Sequence, residues 1–241
     1  MQHVPSTLQE VSKSTLLKWA GAIAGAICVA FPAKFLLSIS RLEKPTYTVS
    51  KYVRVGRVTA EVREYEPFLI AESVVSGVTM KDGTSKGFMN VAGYIFGDNA
   101  GGHSTGNGGA ETEKVAMTAP VRTEQNEKAK VAMTSPVRAE LKSNLRNMKV
   151  SFVMPRKYSA ATLPKPKNSK VRIRSVAAHR MVAVVFRGRS PDEKKVAEVS
   201  RDLFQALEHA GLKPKGGLMV YQYHPPFIPG FLRRNEVAVM V

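Results

Sequence analysis

The sequence predicts an α+β domain in which one mixed, curved sheet or barrel carries two helices on its outside. Two stretches of equal length and similar apolar placement, 63–77 and 174–188, support this fold because a helical pattern follows each of them. A tandem repeat supplies further strands, with KVAMTAPVRTE beginning at Lys114 and KVAMTSPVRAE at Lys130. We therefore expect two similar halves, each with the order strand–helix–strand–strand.

The first half has a local signal for each element. Residues 60–75 are rich in β-forming residues, and Pro67 divides them into two strands. Residues 80–97 predict a helix that Gly97 caps. One face of this helix carries apolar residues at spacings of four and three, namely Phe88, Ala92 and Ile95.

The second helix is more strongly marked. Residues 190–193, Ser-Pro-Asp-Glu, predict a capping box with proline at the first helical position, and Gly211 predicts the end of the helix. Its predicted buried stripe consists of Val196, Val199, Leu203, Leu207 and Ala210.

The remaining elements are strands and loops. The two repeat copies predict a hairpin joined by residues 124–130. Further strands are predicted at 150–154, 218–223 and 236–241. The predicted loops are the glycine-rich residues 97–113 and the proline-rich residues 155–168.

An apolar segment at residues 19–39 predicts an N-terminal hydrophobic helix. As a helix it is about 31 Å long, enough to cross a hydrocarbon core, although Lys34 interrupts it and Pro32 would kink it. An uncleaved membrane anchor is the leading interpretation. The alternatives are a signal sequence cleaved near residues 28–30 and an organellar targeting or amphipathic surface segment.

Flanking charges predict the orientation of such an anchor. Basic residues are more numerous after the apolar segment than before it, which places the folded domain on the cytoplasmic, stromal or matrix side. Cleavage would instead give a secreted or organellar protein. The predicted organisation is a tail and anchor at 1–40, a linker and entry strand at 41–57, and the main domain at 58–241.

Charge and cysteine content limit the function classes. The net charge of +17 favours anionic partners such as acidic lipids or propionate-bearing ligands. We expect no nucleic-acid binding, because the basic residues are scattered and neither a recognition helix nor an aromatic platform is present. The single cysteine, Cys28, allows no intramolecular disulfide and no covalent C-x-x-C-H haem attachment.

Catalysis is not expected either. The sequence has no G-x-S-x-G or H-E-x-x-H motif. Acidic pairs occur at Glu64/Glu66 and Glu111/Glu113, but charged residues at alternate strand positions usually face solvent. Structural roles are also the leading interpretation for the three histidines of the predicted ordered segments, namely His179, His209 and His224.

Several stretches in order over about residues 45–241 resemble the SOUL haem-binding family. They are VREYEPFLIAE (62–72), AGYIFGDN (92–99), KVAMTAPV (114–121), FVMPRKY (152–158), LPKPKN (163–168) and YQYHPPFIPGFLRRNEV (221–237). The doubled A-M-T-x-P-V segment and the terminal P-P-F and R-R-N-E-V runs are the most specific. The resemblance implies a distorted eight-stranded β-barrel of two pseudo-symmetric halves with two flanking helices. It also implies non-covalent binding of haem or another tetrapyrrole in an apolar groove.

The same resemblance implies candidate binding residues by position. The candidates on the first helix and the C-terminal loop are Ser85, Phe88, Met89, Ala92, Gly93 and Ile228. Some family members have a histidine, proposed as iron ligand, where this chain has Glu64. Others have basic residues where Gly93 and Ile228 stand, and Lys86 and Arg233 are the candidates to replace them.

The predicted function is reversible tetrapyrrole binding without catalysis, as a carrier, buffer or sensor at a membrane surface. The expected partners are the tetrapyrrole, the membrane through the N-terminal segment, and a membrane protein complex. The alternative is an accessory or scaffold subunit of such a complex, with the same fold and no ligand.

Overall fold

A computed structural model describes residues 42–101, 112–125 and 146–241. The chain divides into two compact units, Met1–Leu42 and Glu43–Val241, and the fold below is that of the second unit. The predicted anchor at 19–39 and the second repeat copy at 130–140 lie outside the described residues. Because Glu43–Val241 contains its own hydrophobic core, we expect it to fold independently.

The described residues form two helices and eleven strands. In chain order, the elements are β1 (Tyr47–Val55), β2 (Val58–Tyr65), β3 (Phe68–Val78), α1 (Met80–Ile95), β4 (Asn99–Ala100), β5 (Val121–Gln125), β6 (Arg146–Val153), β7 (Lys165–Pro166), β8 (Val171–Val176), β9 (His179–Arg187), α2 (Glu193–Ala210), β10 (Lys215–Gln222) and β11 (Arg234–Met240). A short 3-10 helix, Gly230–Leu232, precedes β11.

Nine of these strands form one sheet in the order β1-β2-β9-β11-β10-β5-β6-β3-β8, and β4 pairs with β7 separately. The α+β class and the two helices are confirmed. Three details of the prediction are wrong. The sheet has nine strands rather than eight, it is not closed into a barrel, and its pairings are antiparallel rather than mixed.

Two similar halves are present, but each has two strands before its helix rather than the predicted one, and the halves exchange their first strands. The first half has the order β2-β3-α1-β5-β6, and the second has β8-β9-α2-β10-β11. Strand β2 pairs with β9 of the second half, whereas β8 pairs with β3 of the first half. Pairing of β5 with β10 joins the halves a third time. Neither half therefore forms a complete sheet alone.

The segment 114–125 departs from the predicted hairpin. Only its end is a strand, β5, while the preceding residues of the first repeat copy are irregular. Thr118 fixes this part by donating its hydroxyl to the backbone oxygen of Val153, at 2.5 Å. Backbone N–H of Ala119 donates to the oxygen of Glu43. These two bonds join the segment to the end of β6 and to the residues that precede β1.

Helix α1 begins where the sequence indicates. Thr79 is its N-cap, with its hydroxyl oxygen accepting from the N–H of Asp82 at 3.2 Å. The helix ends at Ile95, and Gly97 follows with a φ of +118°, a backbone conformation that favours glycine. The helix packs on β3 and β6, and its Val91 and Ile95 contribute to one hydrophobic core with Phe152.

Helix α2 begins two residues later than the capping box predicts. Asp192, rather than Ser190, is the N-cap, and its carboxylate accepts from the N–H of Lys195 at 2.8 Å. The side chain of Glu193 accepts instead from the N–H of Met80, at 3.0 Å. This hydrogen bond therefore joins the first turn of α2 to the first turn of α1. Gly211 ends the helix in the left-handed conformation, as predicted.

The sheet face away from the helices holds a buried ion pair. Arg63 on β2 donates two hydrogen bonds to the Glu236 carboxylate on β11, at 2.7 and 3.1 Å, and both side chains are fully buried. Glu236 also accepts from Tyr223 at 3.1 Å and from Arg234 at 2.8 Å. Arg63 also donates to Glu61 at 2.8 Å.

Burial and charge oppose each other in this network. Burial disfavours the charged form of Arg63, but the hydrogen bonds and charge of Glu236 prevail and raise the pKa of the guanidinium. Burial, and then the neighbouring charges, raise the pKa of Tyr223. Both tyrosine and arginine therefore remain protonated over the physiological range.

We predict that Glu236→Leu lowers the free energy of unfolding by about 3–5 kcal/mol, because it removes the buried bidentate partner of Arg63 and leaves only the partly exposed Glu61 to bond this buried charge. The double variant Arg63→Met/Glu236→Leu should recover much of that loss, since it removes both charges of the buried pair. Urea unfolding of residues 43–241 measures both. Equal losses from the single and double variants would contradict the coupling.

A second prediction concerns the contact between α1 and β6. A Cβ at Gly87 would lie 2.5 Å from Cγ2 of the buried Val150, whereas a Cβ at Gly93 on the same helix would approach Asp98 no closer than 3.9 Å. Gly87→Ala should destabilise by about 1–3 kcal/mol through overpacking. Gly93→Ala, the matched control, should be neutral or stabilising by up to about 1 kcal/mol through helix propensity. Thermal unfolding distinguishes the two outcomes.

Candidate functional site

The candidate binding groove lies between helix α1 and strand β3, and has a volume of about 460 Å³. This volume falls within the roughly 300–1,000 Å³ of typical ligand sites. The lining residues are Val74, Val75, Ser76, Ser85, Lys86, Met89, Asn90 and Lys170.

Strand pairing leaves room for this groove. The last β8 partner of β3 is Val171, which pairs with Ser73, so β3 continues past the beginning of β8. Residues 74–76 therefore lie on a strand edge that β8 does not cover. Asn90 of α1 donates to the Ser73 hydroxyl at 3.0 Å and fixes the helix over this edge. Lys170 immediately precedes β8 and lies at the end of the same groove.

The groove combines exposed apolar side chains with two cations. Met89 is 66% exposed and Val74 is 48% exposed, which is high for residues of these types. Lys86 and Lys170 are exposed, and within the described residues neither forms an ion pair. An apolar surface flanked by free ammonium groups suits a flat apolar ligand that bears carboxylates.

Three of the predicted site residues come together in this groove: Ser85, Lys86 and Met89. Two other predicted residues on α1 face the hydrophobic core between this helix and the sheet. Phe88 is half-buried with its ring 5.3 Å from that of Phe152, and Ala92 is buried.

Gly93 is half-buried near Asp98 and, like Ala92, is not among the groove residues.

The two predicted residues of the C-terminal loop do not line the groove. Ile228 is buried, and Arg233 is 9% exposed. The Arg233 guanidinium donates to the backbone oxygens of Ile228 and Pro226. These hydrogen bonds fix the loop conformation, and Arg233 does not contribute its charge to the groove.

A smaller cavity, of about 210 Å³, lies beside the entry to β1 and the end of β6. Its lining mixes charges of both signs, with Glu43 and Glu66 next to Lys44 and Arg156. Glu43 is already engaged, accepting from the backbone N–H of Arg156 at 2.8 Å. This cavity offers less apolar surface than the α1–β3 groove, which we therefore take as the candidate site.

The donor atoms bear on whether haem iron could be ligated. The described lining of the groove includes no histidine, and the thioether of Met89 is the side chain in it that could ligate iron. Within the described residues, no cluster of three or more His, Cys, Asp or Glu side chains could hold a metal ion. The groove thus fits the macrocycle and its carboxylates better than it fits a strongly ligated iron.

The histidines in the described strands and loop make structural contacts. His179 stacks on Tyr65, with ring centroids 5.2 Å apart, and its Nδ1 lies 2.8 Å from the Ala177 oxygen. His224 Nδ1 accepts from the backbone N–H of Arg234 at 3.1 Å. Burial, above all, lowers the pKa of both imidazoles.

Five groove residues were not among the sequence candidates: Val74, Val75, Ser76, Asn90 and Lys170. Asn90 lies one turn after Lys86 on the helix, so helical spacing could have identified it. No local pattern connects Lys170 or the β3 edge to this helix, because strand pairing brings them there.

The lowered pKa of His179 predicts an acid-sensitive contribution to stability. Because the folded state favours the neutral ring, this contribution is complete above the unfolded pKa of about 6.5 and is lost as the pH falls through the folded pKa. His179→Phe keeps an aromatic ring on Tyr65 and should reduce the loss of stability between about pH 6.5 and 5. Urea unfolding across this range tests the slope. An NMR titration midpoint for His179 above 6.5 would contradict the sign.

Neither helix in the described part of the chain is both long and apolar enough to span a membrane. Among curated proteins, none matches the chain significantly. The solved structure of the EcmrR C-terminal domain has a similar fold, which matches 76% of this chain and 97% of that domain at 12% identity and a TM-score of 0.51. EcmrR in its DNA complex matches 97% of this chain and 73% of that chain, at 12% identity and a TM-score of 0.52. These likenesses concern the fold alone.

A family model shows the relationship that the motifs indicate. The model described as SOUL heme-binding protein matches residues 42–240, most of the chain and all of its described strands and helices. The chain therefore belongs to the SOUL heme-binding protein family.

Proposed function

We propose that this protein binds haem or a related tetrapyrrole reversibly and without a covalent bond, as a non-catalytic carrier, buffer or sensor at a membrane surface. The observation that carries this proposal is the α1–β3 groove, in which an exposed methionine is flanked by two exposed lysines that form no ion pair within the described residues. Family membership supports the ligand class.

The apolar part of the groove would cover the macrocycle. Met89 has a flexible thioether side chain, which packs favourably against aromatic rings. Val74 and Val75 on the β3 edge would add the opposite apolar contact. Because the groove is open along this edge, ligand entry would require no unfolding of the core, which suits reversible binding.

The cations would bind the carboxylates. Lys86 and Lys170 are exposed at the groove and are not engaged by the described acidic residues, so their charges are available to propionates. Arg233 is not assigned this role, since its guanidinium bonds two backbone oxygens of its own loop.

Iron would be held weakly by the protein. Met89 is the axial donor that the groove offers, and a single thioether gives weaker ligation than a histidine pair. We therefore propose comparable binding of haem and of metal-free porphyrin.

The membrane location in this proposal depends on the N-terminal segment, residues 19–39. Its length and apolarity suit an anchor, and the basic residues after it favour a domain on the cytoplasmic, stromal or matrix side.

One observation favours the alternative, an accessory subunit of a membrane complex with no ligand. The positions at which other family members are expected to carry basic residues are occupied by Gly93 and the buried Ile228. Loss of complex assembly on depletion, with unchanged haem distribution, would favour this alternative.

We predict saturable one-to-one binding when haemin is titrated into residues 43–241 and followed by Soret absorbance and calorimetry. Met89→Asp should weaken binding at least about tenfold, because it places a carboxylate against the apolar macrocycle. Lys86→Glu and Lys170→Glu should each weaken it by about fivefold or more, because each removes one favourable charge and adds a repulsive one.

The matched control is Met117→Asp, since Met117 is another exposed methionine, outside the groove. It should leave haemin affinity unchanged. Equal weakening by Met89→Asp and Met117→Asp would remove the groove assignment. No saturable binding of haemin or metal-free porphyrin would overturn the proposed function.

A further inference from the structure

We propose that the C-terminal loop of residues 225–232 is a membrane-docking element, which places aromatic side chains into the interface of an anionic lipid surface. This contact is separate from the N-terminal segment and does not require that the groove bind a tetrapyrrole.

The loop exposes more large apolar surface than a solvated turn needs. Phe231 is 72% exposed and Phe227 is 68% exposed, and Leu232 beside them is 36% exposed. Isolated apolar residues on a surface are ordinary, but three within one short loop form a patch. Phenylalanine and leucine are the side chains that enter the headgroup–acyl boundary in interfacial membrane contacts.

The loop is held in this exposed conformation from beneath. Ile228 is buried and anchors the loop to the domain. Arg233 donates to the backbone oxygens of Ile228 and Pro226, and Arg187 Nη1 donates to the Phe231 oxygen at 3.4 Å. The aromatic side chains are thus presented by a fixed backbone, so little conformational freedom is lost on docking.

Three exposed cations lie near this patch. Arg187 and Arg189 are exposed, and Arg189 packs at Gly230 within the loop. Lys44 is exposed and lies 6.0 Å from the ring of Tyr223, just before the loop. Burial first, and then the charges of Lys44, Arg187 and Arg233, lower the pKa of His224.

The neighbouring carboxylate does not pair with these three cations. Glu236 on the following strand is fully buried and is bonded to both Arg63 and Arg234. Exposed apolar side chains flanked by cations complement an anionic membrane. The basic residues are attracted to the anionic headgroups, and the aromatic residues enter the boundary between the headgroups and the acyl chains.

The test is partition of residues 43–241 onto vesicles of phosphatidylcholine, with or without phosphatidylserine, at about 0.15 M salt. This unit removes the hydrophobic segment, which would bind vesicles by itself. Binding should require phosphatidylserine. Phe231→Ser should weaken it about tenfold or more, and Arg187→Glu/Arg189→Glu at least about tenfold.

The matched control is Tyr52→Ser, since Tyr52 is an aromatic residue 64% exposed on β1. It should bind vesicles as the parent does. Because the only tryptophan of the chain, Trp19, is outside residues 43–241, Phe231→Trp also gives a clean fluorescent reporter. Its emission should shift to the blue on anionic vesicles, whereas that of Tyr52→Trp should not.

Three results would overturn the proposal: equal partition onto neutral and anionic vesicles, equal effects of Phe231→Ser and Tyr52→Ser, or no blue shift at position 231. Dimerisation abolished by Phe231→Ser, without vesicle binding, would instead assign the patch to a second copy of the chain. The haemin titration is independent of these outcomes, so failure of the groove and failure of the loop are distinguishable.

Discussion

The bidentate ion pair between Arg63 and Glu236 crosses strand β9 and joins a strand of the first half to a strand of the second. Its position follows from the exchange of first strands, since β2 belongs to the first half but pairs inside the second. Two full charges in the interior are tolerated only with this bonding. The pair therefore favours one specific arrangement of the halves, whereas apolar contacts alone would be less selective between β2 and β8 as partners of β9.

This arrangement also determines where a ligand could bind. Helix α2 covers β1, β2, β9 and β11 closely, and α1 covers β3 and β6. Because β8 is exchanged into the first half and ends its pairing at Ser73, the remaining edge of β3 is left beside α1. The groove is thus a consequence of strand exchange rather than of a special motif. Elsewhere on α1, Gly87 allows close contact of the helix with Val150 of β6.

The sequence predicted the elements better than their arrangement. Both helices, the break at Pro67 and the division into two halves follow from local periodicity and turn chemistry. The strand exchange does not, because β2 and β8 carry similar alternating patterns and either could pair with either half. Burial of Arg63 does not follow from the sequence for the same reason, since its partner Glu236 reaches it only through the pairing of β2 and β11 with β9. Of the site, Ser85, Lys86 and Met89 follow from the family resemblance, but Lys170 joins them only through the fold.

The cations of this basic chain divide into two groups with different physical consequences. Arg63, Arg122 and Arg233 are buried and bonded to protein acceptors or neighbours, so they contribute to the fold rather than to recognition. Lys86 and Lys170 at the groove, and Arg187 and Arg189 at the loop, are exposed, and each pair stands beside exposed apolar side chains. Nucleic acid would favour a continuous basic surface with few apolar interruptions. Cations placed beside exposed apolar side chains instead suit amphiphilic anions. Carboxylated tetrapyrroles and acidic lipids are both of this kind.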